Sequence, residues 1–342
     1  MRHNRISRQA TRRCLYTGES YHQALGAQQD AHATIPAATG HQQFLEARVF
    51  EAVVDSGRNF YEHPFGVRRV LPQPATITLH LETTERAVHL LRYVLPSYSE
   101  EYGHNGLRGV WIRHRTLQGI EIAGAHGQAS VWLTGLSSSD WTRAERTIAE
   151  EQADEGLHSL WQDPPSEHAT GEDHQDTAEA ARARRWDNYL NRGAWCASGL
   201  LRRIAIFHTV TTADLVTGIR ALPGIIGYEG LGPVRWAFDI DRRPGLPDSQ
   251  HALIQALTDP GFGLPIQEVP FGIPFFDNSA RHTRIGDDTA TALIELRSSE
   301  ITYPSLDGRP AWGDPARFVE LGRAIRRRVA RNLASPPYRA SS

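Results

Sequence analysis

Residues 75–96, ATITLHLETTERAVHLLRYVLP, change their periodicity half-way along. The first part, ATITLHLET, alternates apolar and polar residues as a half-buried strand does. Beyond it, Ala87, Leu90, Leu91 and Val94 recur at helical spacing. A strand that passes straight into an amphipathic helix needs a sheet face and a helix to cover it, so an α+β or α/β fold is expected.

Working outward, GVWIRHR (109–115), GIEIA (119–123) and ASVWLTGL (129–136) read as strands, the last two joined by the hairpin signal GAHG. Residues 137–161 begin with cap-type serines and continue as a helix. Upstream, a helix is expected over 44–54. Residues 4–25 read as two short helices broken at Thr17 and Gly18, with Ser20 capping the second. The polar, proline-containing stretch QDPPSEHATGEDHQD (162–176) marks a boundary. Past it the pattern predicts a helix over 177–189, strand 202–210, helix 212–222, strand 233–240, helix 248–258, strands near 264–269 and 291–297, and a closing helix over 315–333.

The expected organisation is Arg-rich helices in 1–26, a linker over 27–43 and an α+β domain over 44–162. An acidic linker (163–178), an α/β domain ending in an Arg-rich helix (179–334) and a tail (335–342) complete it. Both domains are expected to be sandwich-like, with mixed sheets and helices on one face. A length of 342 residues fits two cores better than one.

The formal charge of −2 conceals segregation. Residues 1–22 carry five arginines and 315–333 carry six, whereas 145–176 carry ten acids. No apolar run is long enough to span a membrane and no secretory signal is visible, so the cytoplasm is the expected location. The two cysteines, Cys14 and Cys196, form no CxxC pair, which argues against structural zinc.

All 37 basic residues are arginine. Without lysine there is no Walker A nucleotide loop, no pyridoxal phosphate Schiff base and no Ser-x-x-Lys acylation pair. GxSxG is also missing, and GIIGYEGLG (224–232) has neither the spacing nor the place of a dinucleotide fingerprint. Arginine-biased coding accounts for the lysine-free composition; selection against lysine tagging is the alternative.

The motif WAFDIDRRPG (236–245) places Asp239 and Asp241 two apart near the end of an apolar strand. Period-two geometry sends both to one face, where carboxylates can hold Mg²⁺ or Mn²⁺ for phosphoryl or nucleotidyl transfer. A plain strand end whose acids pair with Arg242 and Arg243 is the structural alternative. Asp239 and Asp241, with His282 in SARHTRI and Glu295 in IELR, resemble the motif order of archaeo-eukaryotic-type primase-polymerases over residues 234–310, although the glycine-rich run before the histidine is missing. That resemblance implies catalytic roles for Asp239, Asp241, His282 and Glu295. Asp287 and Asp288 read as turn residues. Glu155 and His158 have i, i+3 spacing without a second copy, and His168 and His174 sit in the acidic stretch, so these read as solvated. YGHNGLRG (102–109) reads as a helix-to-strand loop, with phosphate cradling as the alternative.

TGESYHQAL (17–25) resembles a TGxxYxxAL motif of uncharacterised plasmid- and phage-associated proteins from high-GC bacteria. It implies a mobile-element setting. Arg5, Arg8, Arg12 and Arg13 near the start, and Arg323, Arg326, Arg327 and Arg331 near the end, line the polar arcs of two helices and suit DNA or RNA phosphate. Three readings stand open: a nucleic-acid-associated protein binding through these helices, a metal-dependent nucleotidyltransferase or phosphodiester enzyme, and a protein-interaction module of a defence or regulatory system.

Overall fold

The structure is a computed structural model that describes residues 2–29, 34–56, 63–101, 103–124, 127–164, 178–209, 215–222, 234–242, 250–268, 281–287 and 291–300. The closing helix over 315–333, with Arg323, Arg326, Arg327 and Arg331, lies outside them, as do GIIGYEGLG, His168, His174 and Asp288. The chain is α+β with open, mixed sheets. It divides into two compact units, residues 1–57 with 66–204, and residues 58–65 with 205–342.

The first unit begins with helices α1 (Arg2–Thr17), α2 (Tyr21–Gln29) and α3 (Gly40–Ser56). A five-stranded sheet follows, built from β1 (Val67–Gln73), β2 (Thr76–Leu81), β5 (Trp111–Arg115), β6 (Gly119–Ala123) and β7 (Ser130–Thr134). Its order is β1-β2-β7-β6-β5, with β2 and β7 parallel and the other pairs antiparallel. Register puts Val70, Ile77, Leu79, Ile112, Ile120, Ile122, Val131 and Leu133 on one face, and all are buried. Helices α3, α4 (Thr84–Val94) and α5 (Ser138–Asp154) contact this sheet. The side chains of Thr83 and Ser137 accept from Arg86 N and Asp140 N and so start α4 and α5. Short strands β3 (Ser97–Ser99), β4 (Gly103–Asn105) and β8 (His158–Ser159) form a separate sheet.

Helices α6 (Ala178–Arg192) and α7 (Ala194–Leu201) follow the acidic stretch yet belong to the first unit, whose last residue is Ile204. They are held there by polar bonds to α3. Glu46, fully buried, accepts from Arg202 Nε and Nη2 at 2.7 and 2.6 Å and from Ser198 Oγ at 2.6 Å. Gln42 donates to the same carboxylate and exchanges bonds with the backbone of Ser130 on β7.

In the second unit, β9 (Leu215–Leu222), β10 (Val234–Arg242), β11 (Gln267–Glu268), β12 (Arg281–Gly286) and β13 (Ala292–Glu300) form a sheet of order β11-β12-β13-β10-β9. Only β10 and β13 run parallel among the described pairs. The core gathers Trp236, Phe238, Ile240, Ile285, Ile294 and Leu296 with Leu253 and Leu257 of α9 (Gln250–Leu257). Phe207 of α8 (Ile206–Thr209) meets the Phe238 ring edge-on at 5.3 Å.

Two expectations are corrected. Residues 212–222 were expected to be helical, but Leu215–Leu222 is strand β9, paired antiparallel with β10. Its short apolar run fits both periods, and β-branched Val216, Thr217 and Ile219 suit the pleat. Residues 202–210 were expected as a strand and instead turn out of α7 into α8. Residues 201–207 are buried without alternation, so a period of two had no physical basis there. Strand β1 accommodates Pro72 because it is an edge strand, where the missing amide costs no ladder bond.

Replacing Arg202 with Met should leave the Glu46 carboxylate buried without its main partner and lower stability by roughly 3–5 kcal/mol. Urea denaturation checks this, and a loss below about 1 kcal/mol would mean that Glu46 finds water or another donor.

Candidate functional site

Strand β10 is apolar on one side and charged on the other because its odd and even positions differ in kind. Trp236, Phe238 and Ile240 are buried, while 235, 239 and 241 carry arginine and two aspartates around the buried Ala237. Parallel pairing sets Ala237 beside Glu295 and Asp239 beside Arg297. Antiparallel pairing then sets Glu295 beside Arg284 and Arg297 beside His282. Paired residues share a sheet face, so positions 239, 241, 282 and 295 fall on one face, opposite the core. Positions 220, 235, 284 and 297, all arginine, fall on it too. From ideal strand spacing, the Cα atoms of 239 and 295 are about 8 Å apart and those of 239 and 282 about 10 Å.

For Asp239, Asp241 and His282 the backbone is described and the side chains are not. Glu295 is described fully. It is buried, and its Oε1 accepts from Arg235 Nη2 at 2.6 Å. That ion pair occupies one oxygen of Glu295, while Asp239 and Asp241 stand two apart on the same face. Among the described side chains, no group of three or more His, Cys, Asp or Glu is placed to hold a metal. The four arginine positions on this face were not foreseen. The spacing R-x-x-x-D-x-D in RWAFDID carries the signal for Arg235, but those on other strands need the register.

The Asp287 carboxylate accepts from Thr291 N at 2.9 Å, Ala292 N at 3.0 Å and Thr291 Oγ1 at 2.8 Å, setting the start of β13, and residues 288–290 lie outside the described residues. Glu155 and His158 do not share a helix, since α5 ends at Asp154 and His158 is in β8.

At the N-terminus, Arg5 and Arg8 are exposed and Arg12 is half-buried. Arg13 is a correction. It is buried, its Nε and Nη2 donate to Glu19 at 2.5 and 3.2 Å, and its Nη1 donates to Thr34 O at 3.1 Å. The buried stripe of α1 is Ala10, Arg13, Tyr16 and Thr17, because the Glu19 carboxylate takes the guanidinium inward. The motif TGESYHQAL makes the α1–α2 corner. Gly18 has φ of 72°, and a Cβ there would lie 2.5 Å from Arg68 O. Ser20 and Gln23 exchange bonds as a capping box, and Tyr21 donates to Ser7 Oγ at 2.9 Å.

Comparison with protein-family models, curated proteins and solved structures finds no match. Among the described residues, no helix is long and apolar enough to cross a membrane.

One carboxylate in the first unit has an unusual proton affinity. Burial pushes the Glu51 pKa up to about 7, with Asp55 adding to the effect, against a 3.0 Å bond from Trp186 Nε1 and the charge of Arg48. The folded pKa exceeds the unfolded value, so the native state binds more protons between about pH 4.5 and 7 and stability falls as pH rises through that window. Glu51→Gln should flatten that part of the profile and stabilise the protein above pH 7. Denaturant midpoints from pH 5 to 8 check it; parallel curves for both proteins would place the proton elsewhere.

Proposed function

We propose that this chain is a nucleic-acid-associated protein whose second unit engages phosphate on the charged face of its sheet, with a divalent ion at Asp239 and Asp241. The register that brings these positions together with 282, 295 and four arginines, on the face opposite an apolar core, is the observation that supports the reading. Two oxygen-donor carboxylates spaced i, i+2 fit Mg²⁺ or Mn²⁺ and offer no thiolate set for zinc. Such an ion supplies charge neutralisation for nucleotidyl or phosphoryl transfer. Arginines on the same face would orient phosphate oxygens through their planar forks. Glu295 holds Arg235 through its Oε1, and His282 stands at a position on the same face.

A binding role for the N-terminal corner has its own support. Exposed Arg5 and Arg8 stand on α1, and Tyr21 and His22 are exposed at the start of α2, which combines cations with rings able to stack. Nucleic acid would then meet the first unit without chemistry there.

Millimolar Mg²⁺ or Mn²⁺ should raise the unfolding temperature and support turnover of labelled nucleotides or oligonucleotides. The pair Asp239→Asn and Asp241→Asn should lose both while keeping the fold. An equal metal response in the two proteins, with no turnover in either, would refute the metal site.

Charge reversal of Arg5 and Arg8 to Glu should lessen the slope of log affinity against log salt by about 2 for a labelled oligonucleotide, at roughly 0.9 per phosphate contact. An unchanged slope would make this corner an ordinary solvated surface.

A further inference from the structure

A cavity of about 190 Å³ in the first unit is lined by His41, Phe44, Leu45, Arg48, Arg108, Gly124, Gln128 and Ala129. Its floor is apolar, with Leu45 and Ala129 buried. Its rim is polar, with His41 and Gln128 exposed and Arg108 half-buried. Two guanidiniums and an imidazole thus border one small space. Among the described residues, no acidic side chain lines it.

The placement of the two arginines is built. Arg48 lies over the Phe44 ring with its Cζ 5.7 Å from the centroid, and its Nη1 donates to Arg108 O at 2.9 Å. That bond ties the loop GHNGLRG to α3. The loop's path depends on Gly106, with φ of 73° and a backbone so near Leu95 that a Cβ would lie 2.5 Å from its carbonyl oxygen. The acids near Arg48 are Asp187, 3.8 Å from its Nε, and Glu51, and neither reaches the cavity lining. Arg48 itself has its pKa lowered, first by burial, with the charge of Arg108 acting in the same direction against Asp187 and Glu51. The fold therefore keeps like charges together around a concavity, an arrangement that an entering anion relieves.

We propose that this cavity is a binding site for a phosphate group, gripped by Arg48, Arg108 and His41 with Gln128 as a further donor. The volume decides the size of the ligand: it is below the several hundred Å³ usual for whole small-molecule ligands, so a single phosphoryl group enters and anything attached to it stays outside. Planar guanidinium forks match phosphate oxygens in pairs. The site stands in the first unit and is independent of the sheet face in the second.

The test uses the full chain at constant ionic strength, with inorganic phosphate, a ribonucleoside monophosphate, or a short oligonucleotide without terminal phosphate as the probe. Thermal unfolding and titration calorimetry are the readouts. Saturable stabilisation is expected, weakened about tenfold or more in Arg108→Ala, which removes charge-assisted hydrogen bonds. That variant keeps the backbone carbonyl that accepts from Arg48, and Gln128→Ala, on the exposed rim, serves as the second. Saturation by phosphate or the monophosphate assigns a free or terminal phosphoryl group. Saturation by the oligonucleotide alone, lost in Arg108→Ala, assigns a backbone phosphodiester. No saturable effect from any probe, or one that both variants leave unchanged, overturns the site.

Discussion

A carboxylate and a guanidinium, Glu46 and Arg202, sit in the first unit with no solvent exposure at all. Each carboxylate oxygen is used twice, Oε1 by Arg202 Nη2 and Gln42 Nε2, Oε2 by Arg202 Nε and Ser198 Oγ. A buried charge is tolerated only when its bonds are complete, so the elements that supply those bonds cannot shift independently. Arg202 also donates to Pro36 O at 2.7 Å, and Gln42 clasps Ser130 on β7. One ion pair thus fixes α3, α7, the segment before α3 and the central sheet. Helix α6 lies between the acidic stretch and α7 and is brought back onto α3, where Trp186 reaches Glu51. The compact unit extends to Ile204 for that reason.

Such use of arginine changes how the lysine-free composition reads. Arg13 closes on Glu19, and Arg86, fully buried, donates to Val53 O and Ser56 Oγ. Arg113 pairs with Glu121, and Arg203 donates to Gly199 O while burial takes its pKa down to about 10. These side chains brace backbone carbonyls and carboxylates, a task suited to a planar fork with five donors and poorly suited to an ammonium. An arginine count is therefore no measure of basic surface here. On α1 the sequence pattern grouped Arg13 with Arg5, Arg8 and Arg12, yet only a tertiary partner, Glu19 beyond the turn, decides which of the four turns inward.

Legibility followed the same division between local and tertiary causes. The change of period in residues 75–96 led to β2 and α4 because β2 alternates between buried and half-buried positions, whereas β6 and β7 were found through the turn signal GAHG, since β6 is buried on both faces. Residues 202–207 misled because Arg202 to Phe207 are all buried, so no period survives in the sequence there. The candidate site was half legible. Asp239 and Asp241 follow from period two on one strand, whereas bringing Glu295 and His282 alongside depends on the parallel pairing of β10 with β13, which joins residues far apart in the chain. The Arg235 partner of Glu295 shows only once that register is known.

A chain without lysine is also restricted in the chemistry its sites can do. Arginine keeps its charge at any working pH, so it can stabilise an anion or a developing negative charge but cannot serve as a proton carrier or imine-forming nucleophile. Proton movement then falls to histidine and to carboxylates with raised pKa, of which Glu51 is one. On the sheet of the second unit, four arginine positions share a face with two aspartate positions and one histidine position. Under the proposed reading, arginine would supply fixed positive charge and the aspartates would supply oxygen donors for a cation. Phosphate chemistry needs those capacities and little covalent participation by the protein, so the lysine-free composition leaves this class of reaction intact while removing several others.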